Sequence, residues 1–206
     1  MTKMDKVFLT DSGSTAVETA LKIAVQYWRN KGIKHRSKFV TFENAYHGET
    51  ALTMAVSDCD LYTKPYRSLM PDHVHVLRAL PYVSGPQDPR WSDCSDDWPA
   101  LEAQLAPLAD IATAIIVEPL LQAAGGMKVY SADFLRRLFE WARAHDIHII
   151  ADEIMTGFWR TGRCFAYEYA GVTPDFLCLA KGLTAGSLPL SVTLTRESIY
   201  QLFFCV

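Results

Sequence analysis

Two short apolar runs, IHIIA at 147–151 and DFLCLA at 175–180, constrain the fold most. Each is too short for a helix and is bounded by turn signals. Such runs read as strands buried on both faces, the kind that builds a parallel sheet. Each is followed at once by a charged residue, Asp152 after the first and Lys181 after the second. Open α/β sheets place ligands at the carboxyl ends of their strands. The acid and the amine are therefore expected at one rim of one sheet, facing one crevice.

The rest of the chain supplies a matching frame. VFLT at 7–10 reads as a strand, and DSGSTAVE after it opens a helix that runs to about Asn30. Ala16, Val17, Ala20, Leu21, Ala24 and Trp28 form its apolar stripe. Thr15 and Glu18 have capping-box spacing, and Gly32 marks the stop. A strand at 38–42, a loop ENAYHGE and a helix at 49–56 follow. Residues 57–99 form a long irregular excursion with one strand at 73–77. Then come a helix at 98–107, a strand TAIIVEP at 113–119, a loop LLQAAGG and an amphipathic helix at 131–145. The helix buries Phe134, Leu135, Leu138, Phe139 and Ala142. A strand at 188–195 closes the series. Strands alternating with helices predict a three-layer α/β/α domain with a mostly parallel sheet and no interdomain linker.

Bulk properties narrow the function classes. The formal net charge is -3 over 206 residues, with no basic block, which gives no footing for a nucleic acid or a membrane surface. No apolar run reaches 18 residues and no secretory signal opens the chain. The five cysteines are odd in number and lack C-x-x-C spacing, so they read as free thiols in a reducing, cytoplasmic setting. His73 and His75 alternate along a strand with no nearby ligand pair, which argues against a metal site. His145 and His148 read as surface polars at a helix–strand turn. The chain opens almost directly into a strand and ends on Phe203-Phe204-Cys205-Val206, so it is expected to be a piece of a longer protein.

Four constellations carry chemistry. SGST (12–15) lies between a strand and a helix, where small residues, free N–H groups and the helix dipole make an anion cradle; a plain helix cap is the other reading. Asp152 ends a hydrophobic strand as the Mg-binding acid of P-loop ATPases does, but G-x-x-x-x-G-K-[ST] is absent. A buried acid there needs a cation or donors, and a protonated pyridine nitrogen would serve. Lys181 among apolar neighbours reads either as a desolvated amine free to attack a carbonyl or as a strand-end lysine reaching water. In NAYHG (44–48), Tyr46 or His47 either stacks on a flat ring or packs within its loop. Glu118 reads as a helper at the rim, bonded to backbone or water, and Glu153 as an acceptor for loop amides. Together the first four groups are what pyridoxal 5′-phosphate requires.

SGSTAVETALK, the Tyr46-His47-Gly48 turn, the Glu118-Pro119 strand end, ADEIMTGFWRTG and AKGLTAGSLPLS resemble the class III pyridoxal-phosphate aminotransferases of fold type I. LLQAAGGM and LTAGSLPLS are similar to the biotin-pathway branch of that family in particular. The resemblance implies that Lys181 holds the cofactor as a Schiff base and later moves the substrate proton. It implies that Asp152 pairs with the pyridine nitrogen, that Gly13 and Ser14 bind the phosphate, and that Tyr46 and Ile154 pack on the two ring faces. It further implies an S-adenosylmethionine donor, a keto-amino acceptor and a ping-pong cycle. Residues 1–206 would be an incomplete large domain, lacking an N-terminal segment and the C-terminal small domain of a homodimeric whole. Other ω-amino-acid transaminases, an aminomutase and an inactive fragment are the competing readings. Gln122 is followed by Ala123 and Ala124 where glutamate-using relatives carry Gly-Glu, which favours the biotin branch. Trp159 stands where a glycine is usual, and the sequence offers no account of it.

Overall fold

Along each central strand, successive side chains enter two different apolar layers, so the sheet is covered on both faces. The computed structural model describes residues 2–204. The chain runs β1 (Lys6–Thr10), α1 (Gly13–Asn30), β2 (Lys38–Phe42), α2 (Ala51–Ala55), α3 (Asp60–Thr63), β3 (Val74–Leu77), α4 (Trp98–Leu105) and β4 (Ala112–Val117). It continues through β5 (Leu121–Gln122), β6 (Lys128–Val129), α5 (Ala132–Ala144), β7 (His148–Asp152), β8 (Phe176–Leu179), β9 (Ser191–Thr195) and α6 (Glu197–Tyr200). Seven strands form one sheet in the order β1-β9-β8-β7-β4-β2-β3. The pairings from β3 across to β8 are parallel, and β9 runs antiparallel to both β8 and β1.

Ala114, Ile116, Ile150, Phe176 and Cys178 pack against the α1 stripe of Ala16, Val17, Ala20, Leu21 and Ala24. Their strand neighbours Ile115, Val117, Ile149, Ala151, Leu177 and Leu179 pack on the other face, against Phe134, Leu135, Leu138 and Phe139 of α5 and Leu101 and Leu105 of α4. The three-layer α/β/α expectation holds, with one antiparallel strand set between β8 and β1.

Several local expectations need correction. The N-cap of α1 is Ser12, whose hydroxyl accepts from the Thr15 amide while Thr15 bonds back to Ser12 N. Glu18 leaves the cap and instead accepts from Thr50 Oγ1 (2.6 Å) and the Leu52 amide (3.1 Å), tying α1 to α2. The LLQAAGG stretch is not all loop: its Leu121–Gln122 is β5, and the residues after it lead over the tip of a small antiparallel β5–β6 hairpin. His148 is not a surface polar: it is 7% exposed. It stacks on Trp28 at 5.2 Å and meets Tyr27 and Phe176 edge-on. Cys205 and Val206 lie outside the described residues. Among those described, Cys59, Cys94, Cys164 and Cys178 are free, and no helix is long and apolar enough to cross a membrane.

Candidate active site

The ends of β1, β2, β4, β7 and β8 open on one cleft of about 370 Å³. All six residues singled out from the sequence, Gly13, Ser14, Tyr46, Asp152, Ile154 and Lys181, line it. Each comes from a strand's carboxyl end or from the turn or helix start that follows, which is why they meet despite their distance in sequence.

Asp152 is buried at the end of β7. Its Oδ1 accepts from the Ile154 amide at 3.2 Å, and its Oδ2 accepts from His47 Nδ1 at 2.8 Å. A buried carboxylate is tolerable only with such donors. His47 is 2% exposed, and its Nε2 has no partner among the described residues. Its ring is packed within the fold, where it braces the acid. The signal that could have found it is the demand for a donor at a buried Asp, joined to the one histidine in a loop at the same sheet rim.

Of the two readings of Lys181, the strand-end lysine that reaches water holds: it is exposed and lines the cleft. Its backbone sits at φ +38°, a left-handed conformation that non-glycine residues rarely adopt. The next residue explains part of that turn. A Cβ on Gly182 would stand 2.7 Å from the Phe158 ring, so the chain is pressed against its neighbour there.

At the opposite wall, α1 begins at Gly13 and Ser14. First-turn amides have no acceptor inside their own helix. A Cβ on Gly13 would lie 2.9 Å from Ile154 Cδ1, and one on Gly48 would lie 2.3 Å from Ser14 Oγ. The backbone is thus brought as close as glycine permits, as an anion cradle needs. Ser14 Oγ accepts from the Glu49 amide at 3.2 Å. Tyr46 lies over the cleft with its hydroxyl donating to Glu49 at 3.1 Å and its ring 4.8 Å from that of Tyr62. Burial pushes its phenol up to about 12.

The two remaining acids behave as expected. Glu118 accepts from the amides of Tyr46 and Ala123, and burial pushes it up to about 7. Glu153 accepts from Thr156 Oγ1 and from the amides of Ala166 and Tyr167, and burial pushes it to about 7 as well. Ala123 and Ala124 form part of the wall. Gln122 behind them is buried; it accepts from the Tyr82 hydroxyl and donates to the Glu43 carbonyl.

An α/β/α frame with an acid and a lysine at neighbouring strand ends, beside a glycine-tight helix start, defines a class of transferase. Residues 1–205 match the class III aminotransferases, and the chain belongs to that family. It is 41% identical over 201 residues to the adenosylmethionine-8-amino-7-oxononanoate aminotransferase of Synechococcus elongatus, covering 98% of this chain and 46% of that protein. It is 42% identical to the protein of the same description from Anoxybacillus flavithermus, covering 44% of it. The chain therefore spans less than half the length of the curated relatives it matches. Among solved structures it is similar to an amine transaminase from an uncultivated Pseudomonas species in its PLP-bound form. That match has a TM-score of 0.87 and 39% identity, over 97% of this chain and 45% of that one. It is also similar to the adenosylmethionine-8-amino-7-oxononanoate aminotransferase of Methanocaldococcus jannaschii, with a TM-score of 0.81 and 32% identity over 97% and 44%.

Proposed function

We propose that residues 1–206 are the pyridoxal-phosphate-binding large domain, incomplete, of a transaminase in biotin biosynthesis. The whole protein would move an amino group from S-adenosylmethionine to 8-amino-7-oxononanoate. The observation that carries the cofactor assignment is the meeting of buried Asp152, exposed Lys181 and the open first turn of α1 on one cleft.

The residues fit the group. Gly13 and Ser14 would hold the phosphate on free amides and a hydroxyl, where no side chain at Gly13 or Gly48 intrudes. Asp152, oriented by His47 and the Ile154 amide, would face the pyridine nitrogen and keep its proton in place. Tyr46 and Ile154 would pack on opposite faces of the ring. Lys181, whose amine reaches the cleft, would hold the cofactor covalently and then act as the base that carries the substrate's proton. When bound, pyridoxal phosphate supplies an electron sink for the pair left on a substrate carbon that loses a proton.

The assigned donor and acceptor rest on the descriptions of the curated relatives and on Ala123 and Ala124, which put no acid on the wall that glutamate-using relatives guard. A second reading, an amine or ω-amino-acid transaminase, is favoured by neighbours such as the (S)-enantioselective omega-transaminase from Thermomicrobium roseum, at TM-score 0.87 and 29% identity. The two separate by donor. The cofactor-loaded protein is offered adenosylmethionine, alanine or glutamate in turn, and pyridoxamine 5′-phosphate is measured by mass spectrometry. Formation with adenosylmethionine alone is expected; formation with alanine would move the chain to the second reading. The full-length protein is proposed to be a cytoplasmic homodimer with only small-molecule substrates, and light scattering on the purified protein tests the dimer.

A further inference from the structure

Glu118 joins two walls of the cleft, the loop after β2 and the β5–β6 hairpin, at the cleft side of the Gln122 bond to the Glu43 carbonyl. It stands just past β4 and is 6% exposed. Its Oε1 accepts from the amide of Tyr46, 72 residues away, at 3.1 Å. Its Oε2 accepts from the amide of Ala123, in the β5–β6 hairpin tip, at 3.2 Å. The Glu118 carbonyl meanwhile accepts from the hydroxyl of buried Tyr130, which anchors the strand end itself. The two amides meet different oxygens of one side chain. A carboxylate offers an acceptor at both places; a glutamine presents one oxygen and, at the other place, a donor that would face an N–H. A purely space-filling role would be met as well by an apolar residue.

The charge on this carboxylate depends on its surroundings. Burial raises it to about 7, His47 from the loop after β2 pulls it down, and Asp152 from β7 pushes it up. Tyr82, in the loop after β3, and Tyr130 feel its charge in turn. Lys181 lines the same cleft.

We propose that Glu118 is a positioning residue: ionised, it holds the Tyr46 ring and the Ala123–Ala124 wall in register across the cleft, and protonated, it loosens its hold on the Tyr46 and Ala123 amides while the Gln122 bond to Glu43 keeps the loops together. The proposal deepens the cofactor reading of the cleft and rests on it for its consequence, though not for its geometry. A neutral acid accepts more weakly than a carboxylate, so the tether loosens as pH falls through about 7.

The test uses the 206-residue chain as it is. Amide hydrogen exchange is read by NMR at Tyr46 and Ala123 between pH 8 and pH 6, as protection relative to the intrinsic rate, with Ile116 and Ile150 as sheet references. In the wild type, protection at both amides is expected to fall roughly tenfold from pH 8 to pH 6, the scale of a charge-assisted bond lost, while the references hold. In Glu118→Gln, at least one of the two amides is expected to exchange roughly tenfold faster already at pH 8, and the pH step disappears. Pyridoxal-phosphate affinity, titrated in parallel, should weaken in Glu118→Gln with far-UV circular dichroism unchanged. A flat wild-type profile, or full protection of both amides in Glu118→Gln, overturns the proposal; the wild-type profile serves even if the variant fails to fold. If the amides behave as expected but the chain takes up no cofactor, the cofactor reading fails and the tether stands. If the chain takes up cofactor while the amides do not respond, the tether fails and the cofactor reading stands.

Discussion

His148 should give this protein a titration that acid drives in one direction. Its ring is packed among Trp28, Tyr27 and Phe176, and its Nδ1 has no partner among the described residues. Burial first, and then the charges of Lys31, Arg36 and Arg196, depress it from 6.5 to about 3. The native state therefore refuses a proton that the unfolded chain accepts below pH 6.5. Stability contributed by the neutral ring is complete above that pH and is lost as pH falls toward about 3. With those two values, the loss between pH 7 and pH 5 comes to about 2 kcal/mol. Glu118 and Glu153 titrate in the opposite sense over this range, because their native values are raised to about 7. A direct pH profile would mix the two effects. His148→Phe separates them, since phenylalanine keeps an aromatic ring in the stack and cannot charge. Urea unfolding of both proteins at pH 7 and pH 5 should show the wild type losing about 2 kcal/mol more than the variant. Equal changes in the two proteins would refute the reasoning, because the acids are common to both.

Three further outcomes follow from single residues. Trp159→Gly should stabilise the chain by up to about 1 kcal/mol in urea titration, since a 68% exposed tryptophan is held at φ +68° where only glycine is unstrained; a loss of stability would show that its ring has a binding partner in the fold. Gly48→Ala should cost roughly 2 kcal/mol or more and weaken cofactor uptake, because φ is +126° and the new Cβ would sit 2.8 Å from Ser14 Cα as well as on its hydroxyl; wild-type urea stability would show that the loop moves aside freely. Lys181→Ala should fold as the wild type does, by circular dichroism, yet give no visible absorbance band with pyridoxal phosphate; a band of wild-type strength would remove Lys181 from its assigned role.

The parts of the site that were legible in the sequence are those written in local patterns. Asp152 and Lys181 announce themselves because each directly follows an apolar run, and Glu118 and Glu153 because a buried acid at a strand end must find amides. The stripe from Ala16 to Trp28 identifies which face of α1 is buried. What stayed hidden depends on pairings that no spacing encodes. His47 meets Asp152 across 105 residues, so only the demand of a buried Asp for a donor, and not the local pattern of NAYHG, points to the histidine as the brace. SGST offers three hydroxyls for one cap, and the extended backbone of Ser12 makes the choice. The β5–β6 hairpin has two residues per strand, too few for any alternation to show. Trp159 becomes intelligible only with its backbone angle: the position is left-handed, so glycine suits it and tryptophan is strained there.

The way the cleft is assembled explains why the chemistry is spread so thinly along the chain. In a parallel sheet every strand delivers its carboxyl end to the same rim, so each strand contributes one or two groups there and then leaves. β2 leads to Tyr46 and His47, β4 to Glu118, β7 to Asp152 and β8 to Lys181. β9 runs the other way, so the same rim receives its entry instead, and Leu188, Pro189 and Leu190 join the wall from the segment before Ser191. That geometry puts Asp152 beside Lys181 because β7 and β8 are adjacent, with Asp152 in register with Cys178. It puts Glu118 beside Asp152 because β4 is the other neighbour of β7. A carboxylate able to tether two loops thus stands next to the one that would face the cofactor's ring, and the charge of Asp152 helps to raise Glu118.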